Sequence, residues 1–109
     1  MLDAHEFQTH SEDTLRRLYR ALAEAAEDYN FDTDYHDGAL LVEFEDPPAK
    51  FVISPNAPVR QIWVSAHARS FKLDWDEVES TFVLGASGKT LKQLLEEAIG
   101  RQVGAEVTL

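Results

Sequence analysis

The sequence predicts an α+β fold, a two-layer sandwich in which an antiparallel sheet of five or six strands carries an N-terminal and a C-terminal helix on one face. Three observations predict it. Apolar residues recur at helical spacing at both ends of the chain, and the middle alternates with a period of two. The connections between alternating segments are too short for the crossovers that parallel strands need. Each helix has a single apolar stripe, so the two most economically share one face of the sheet and leave the other to solvent. At 109 residues, 44% of them hydrophobic, the chain has material for one modest core, and residues 1–109 are read as one domain.

The first helix is expected from Ala4 to about Asp28, because Phe7, Leu15, Leu18, Tyr19, Leu22, Ala25, Ala26 and Tyr29 fall near helical spacing. Asp3 and Glu6 fit a capping box at its start. Glu12 with Arg16 and Asp13 with Arg17 are acid-before-base pairs at i,i+4, which give the arginines a structural role. From Phe31 to His36 the period falls to two, with Phe31, Thr33 and Tyr35 on one side and Asp32, Asp34 and His36 on the other, so this is a strand. Asp37-Gly38 makes a turn into a second strand, Ala39 to Glu45. Asp46-Pro47-Pro48 breaks it before a third at Lys50 to Ser54. Residues 54–58 read as a loop, Arg60 to Ala66 as a fourth strand, Phe71 to Trp75 as a fifth and Thr81 to Val83 as a short sixth. Ser87 is expected to cap a final helix reaching about Gly100, with Leu91, Leu94, Leu95, Ala98 and Ile99 as its buried stripe.

Charge narrows the function. The formal net charge is -10, from 20 acids against 10 bases. A strongly negative surface repels phosphate backbones and anionic lipid, which argues against nucleic acid and membrane as partners and favours cations and basic proteins. With no cysteine there is no disulfide, thiolate nucleophile or cysteine-type zinc site, and no stretch approaches a membrane span. The expected compartment is cytoplasmic. All of the net charge lies in residues 1–46, which hold 13 acids and three bases; the remainder balances.

Two places can carry chemistry. Glu24, Glu27 and Asp28 share one helical face, while Asp32 and Asp34 share one strand face about 7 Å apart. The four-residue step from Asp28 to Asp32 keeps the two sets within about 14 Å. Together they form a negative ridge suited to hard, oxygen-preferring cations, and His36 can add a nitrogen to an iron site. Carboxylates so spaced favour weak, multi-site, salt-sensitive binding over a tight cage. The plain alternative is a solvated acidic surface that keeps the domain soluble and guards a strand edge. The second place is the fourth strand, where alternation sends Ile62, Val64 and Ala66 to the helices and Gln61, Trp63 and Ser65 to the open face. Trp63, flanked by Asn56, Arg60 and Gln61, then reads as an interface anchor. No phosphate loop, nucleophile elbow or H-E-x-x-H pairing is present, and no catalytic residue is assigned.

Element order, acidic ridge and Pro58-Val59-Arg60-Gln61-Ile62-Trp63-Val64 together resemble the frataxin family, in its bacterial type. The likeness extends over almost the whole chain: the acids from Glu24 to Asp34, the strand Gly38 to Phe44, the P-x-x-Q-I-W core at Pro58 to Trp63, and Ser87-Gly88 before a leucine-rich helix. The P-x-x-Q-I-W core is its most specific part. The resemblance implies a protein of iron-sulfur cluster assembly that binds iron, Fe²⁺ or Fe³⁺, weakly. It would act as iron supplier or regulator of a cysteine desulfurase, with that enzyme and the scaffold protein as partners. It also implies that Glu24, Glu27, Asp28, Asp32 and Asp34 form the iron ridge, and that Gln61 and Trp63 belong to the partner-facing sheet. A monomer is expected, with iron-driven oligomerisation left open. The competing readings are a ferroxidase with iron storage at the ridge and an acidic protein-binding module without metal.

Overall fold

The computed structural model describes residues 2–109. Helix α1 (Ala4–Tyr29) starts as the capping box requires: the Asp3 carboxylate accepts from the Glu6 amide at 2.8 Å, and the Glu6 side chain accepts from the Asp3 amide at 3.2 Å. The bond from the Glu6 amide holds the Asp3 carboxyl below its ordinary range, so its stabilising effect is present above that range and is lost as pH falls through the lowered value. Phe7, Ser11, Leu15, Leu18, Leu22 and Ala25 form the buried stripe, three or four residues apart. Of the two expected ion pairs, Asp13 with Arg17 forms at 3.2 Å, whereas Glu12 accepts from Gln8.

The strands are β1 (Asp32–His36), β2 (Ala39–Glu45), β3 (Pro48–Asn56), β4 (Gln61–Ala66), β5 (Arg69–Asp76), β6 (Thr81–Leu84) and β7 (Lys89–Thr90). They form one sheet in the order β1 to β7, each antiparallel to the next. The class and its layers are as the sequence predicts; the strand count among the described residues is seven, and not five or six. The register aligns the inward residues in rows, such as Tyr35, Leu40, Ile53, Val64 and Phe71 across the first five strands. Thr33 follows with Val42 and Phe51, and Ile62 with Leu73. These rows meet the helices in one core, with Phe31, Phe44 and Phe51 in contact at one end and Phe7, Phe82 and Trp75 at the other.

Several boundaries depart from expectation: β3 begins at Pro48, inside the expected break, β5 runs Arg69–Asp76 and the final helix reaches Val103, and two further departures have a local reason. Residues Ser54 to Asn56 extend β3 and pair with β4, and the turn between them is a short 3-10 segment, Ala57–Val59. The final helix, α2 (Leu91–Val103), is capped by Thr90 and not Ser87. Thr90 and Gln93 make a reciprocal capping box, at 3.2 and 3.0 Å. Ser87 lies in a tight reversal in which the Ser87 and Gly88 amides both reach the Leu84 carbonyl, and Gly88 takes a positive φ of 73°. That reversal brings Lys89 and Thr90 back along β6 as the seventh strand.

The residues after α2 belong to the core. Gly104 ends the helix in the left-handed region, and the chain turns so closely that a Cβ on Gly100 would meet the Ala105 carbonyl oxygen at 2.9 Å. Val107 is buried, the Leu109 amide donates to Glu96 of α2 at 2.8 Å, and the Tyr29 hydroxyl of α1 donates to the Glu106 carbonyl at 3.4 Å. The tail therefore ties the two helices to each other. Removing the Thr90 cap by Thr90→Ala should lower stability by about 1 kcal/mol in urea unfolding. Ser87→Ala should change it by less than about 0.5 kcal/mol.

Candidate functional site

The end of α1 sets the position of the acidic ridge. Asn30 closes the helix in the left-handed region with φ 56°, its amide donating to the Ala26 carbonyl, which the Phe31 amide also reaches at 3.3 Å. Phe31 then drops into the core against Phe44, with ring centroids 5.4 Å apart. Tyr19 on α1 packs near Tyr35 on β1 at 6.1 Å. These contacts hold β1, the first strand at the sheet edge, against the C-terminal half of the helix.

Glu24, Glu27 and Asp28 project into solvent from that half of α1, and Asp32, Asp34 and His36 are exposed on β1. None of the five carboxylates has a cationic or hydrogen-bonding side-chain partner among the described residues. Arg20 precedes Glu24 by one turn, in the less favourable base-before-acid order, and makes no ion pair with it. The last turn of α1 has no basic residue either, so its acids sit at the negative pole of the helix. His36 turns to Asp37, with Nε2 3.3 Å from the carboxylate, and both are exposed, which makes this a weak pair. Among the described residues, no three His, Asp or Glu side chains come together closely enough to hold one metal ion between them. The acids line an edge, spread along it.

The second surface is the sheet face turned away from the helices. Its rows follow from the same register: Asp34, Leu41, Val52, Ser65 and Ser70 across β1 to β5, and Ser54, Trp63 and Lys72 across β3 to β5. Asp32 and Asp34 therefore point to the same side of the sheet as Trp63. Trp63 lies three strands from β1, which is about 14 Å at ordinary strand spacing. The tryptophan is 37% exposed, and its neighbours hold it in place. Its indole N–H donates to Gln61 Oε1 at 3.0 Å, Gln61 donates to Asp74 at 3.1 Å, and Lys72 Nζ stands 5.0 Å from the ring centre. Asn56 is half-buried opposite Gln61. Arg60 folds back on its own turn, in the left-handed region, donating to the Ala57 carbonyl at 2.6 Å.

Sequence reasoning missed Asp37, Lys72 and Asp74, each in contact with a candidate residue. The last two were recoverable, since antiparallel pairing about the His67-Ala68 turn puts Lys72 opposite Trp63 and Asp74 opposite Gln61.

A frataxin-like domain model matches residues 1–105. The chain belongs to the frataxin-like family. Its frataxin-like relatives include the iron-sulfur cluster assembly protein CyaY of Azotobacter vinelandii, 32% identical over 92 residues and 83% of each chain. CyaY of Pseudomonas aeruginosa is 32% identical over 97 residues, 87% of this chain and 89% of that protein. The frataxin of Psychromonas ingrahamii superposes with a TM-score of 0.77 at 23% identity, over 98% of this chain and 97% of that one, which shows the shared frataxin fold.

The two tryptophans of this frataxin-like chain should respond differently to truncation. Trp75 faces the helices, stacked on His10 at 4.0 Å and edge-on to Phe82 at 5.2 Å, so Trp75→Ala should cost about 3 kcal/mol or more in chemical unfolding. Trp63→Ala should cost less, about 2 kcal/mol, because more than a third of the residue is already exposed.

Proposed function

We propose that this chain works in iron-sulfur cluster assembly, that its acidic edge binds iron weakly and docks on a basic patch of a cysteine desulfurase, and that the Trp63 face contacts the scaffold protein. The names of the relatives support the pathway: CyaY of Azotobacter vinelandii and of Pseudomonas aeruginosa are iron-sulfur cluster assembly proteins. One observation supports the site above all. Glu24, Glu27, Asp28, Asp32 and Asp34 are exposed along one edge with no cation paired to them among the described residues, and Glu27 and Asp28 lie in the last helical turn, where negative charge is least favourable.

The physical sense of such an edge is a field waiting for positive charge. Carboxylate oxygens are hard donors and suit Fe²⁺ and Fe³⁺, and His36 offers a nitrogen beside them. Iron is cargo in this reading, held by few protein oxygens at a time and readily passed on. A basic protein surface uses the same charges, with association steered by long-range attraction that salt screens. Because Asp32 and Asp34 share a sheet face with Trp63, one assembly of partners can engage ridge and tryptophan together. Trp63 then serves as the largely uncharged anchor that fixes the docked geometry.

Neutralising the edge tests this. The variant with Glu27→Gln, Asp28→Asn, Asp32→Asn and Asp34→Asn should keep its circular-dichroism spectrum and melt higher at low salt, since like-charge repulsion is relieved. It should also lose binding of Fe²⁺ and of a cysteine desulfurase in calorimetric titrations. Undiminished binding by a folded variant would contradict the proposal.

A further inference from the structure

Across the sheet from the acidic edge, a groove of about 490 Å³ runs between β5, the β6–β7 reversal and the second half of α2. Phe71, Leu84 and Leu94 give it an apolar floor, and Arg69, Lys89 and Arg101 line it with charge. Three of the chain's ten bases are gathered here, against one of its twenty acids, Glu97. That acid is occupied, because Lys89 Nζ lies 3.0 and 2.9 Å from its two oxygens. Arg69 and Arg101 have no carboxylate partner among the described residues. Helix electrostatics account for Arg101, which stands in the last turn of α2. They do not account for Arg69, which comes from the sheet with its guanidinium 5.3 Å from the centre of the Phe71 ring, at the groove's apolar surface.

In a chain of net charge -10, two arginines left without carboxylates beside an apolar cleft are a local inversion of the protein's field. A free inorganic anion would use the arginines and leave the floor wet. An uncharged apolar molecule would use the floor and leave the guanidinium groups unanswered. We infer that the groove binds a small organic anion of about ten to fifteen heavy atoms in all, an apolar body with a single carboxylate or phosphate head group, a size that suits a cleft of this volume. Arg69 and Arg101 hold the head group through their planar forks, which match either oxyanion, and Phe71, Leu84 and Leu94 cover the body. This inference stands apart from the role of the acidic edge and shares no residue with it.

The test is a titration of the ¹⁵N-labelled chain with 3-phenylpropanoate and with phenyl phosphate, set beside 3-phenylpropanol and inorganic phosphate. At least one of the two aromatic anions should shift the Ala66, Arg69, Leu84 and Ala98 amides saturably below about 10 mM, and the stronger of the two identifies the head group. The alcohol and inorganic phosphate should each bind at least about tenfold more weakly. Arg69→Gln with Arg101→Gln should weaken the aromatic anion by a similar factor while the rest of the spectrum keeps its native dispersion. The inference is overturned if neither aromatic anion saturates, if a control binds as tightly, if the shifts centre elsewhere, or if the double variant binds as well as the parent chain.

Discussion

The fold turns on the junction from Tyr29 to Phe31, where an acidic helix end is held beside an acidic strand. Two unit charges about 6 Å apart in water repel by about 0.7 kcal/mol, and salt lowers that further. Burying a phenylalanine contributes about 1.5–3 kcal/mol, so Phe31 against Phe44 outweighs several such repulsions. The left-handed turn at Asn30 lets the chain reverse at this point, and the tail bond from Tyr29 to Glu106 steadies the same helix end. Apolar packing beneath the surface thus keeps together charges that would otherwise separate.

The consequence for function is a division of labour across one sheet. Its inner rows supply stability, and its outer rows, from the charged β1 edge to Trp63 in the middle, face away from the helices and are free for the contacts proposed above. The outer face is not a bare hydrophobic patch. The link from Trp63 through Gln61 to Asp74, with Lys72 beside the ring, holds the tryptophan in one orientation, and in the proposed role this would lower the ordering cost of binding. The acids on β1 also discourage another strand from adding to the open edge.

The layers and most elements were legible because the periods change cleanly, from helical spacing up to Tyr29 to alternation from Phe31. Ile62, Val64 and Ala66 against Trp63 and Ser65 were legible for the same reason, since a strand with one buried face admits one register. Two competing caps hid the start of α2: Ser87 and Thr90 both suit a helix start, and only the reversal at Leu84 to Gly88 decides between them. The extension of β3 through Pro55 was hidden by a residue that normally ends strands. At the site, the residue types were readable and their partners were not. That His36 meets Asp37 and that Arg60 turns back to Ala57 depend on rotamer geometry, which local pattern does not encode, whereas Lys72 beside Trp63 follows from the hairpin register about His67-Ala68.

That the acidic edge and the Trp63 face form one working surface is most directly tested by mapping backbone amide resonances during addition of Fe²⁺ and then of a cysteine desulfurase with its scaffold protein. Fe²⁺ should broaden residues 24–36 and leave β4 and β5 unaffected. The partners should then perturb that same edge together with the outer row through Ser54, Trp63 and Lys72. Iron broadening centred away from residues 24–36, or a partner footprint confined to the helix side of the molecule, would contradict it.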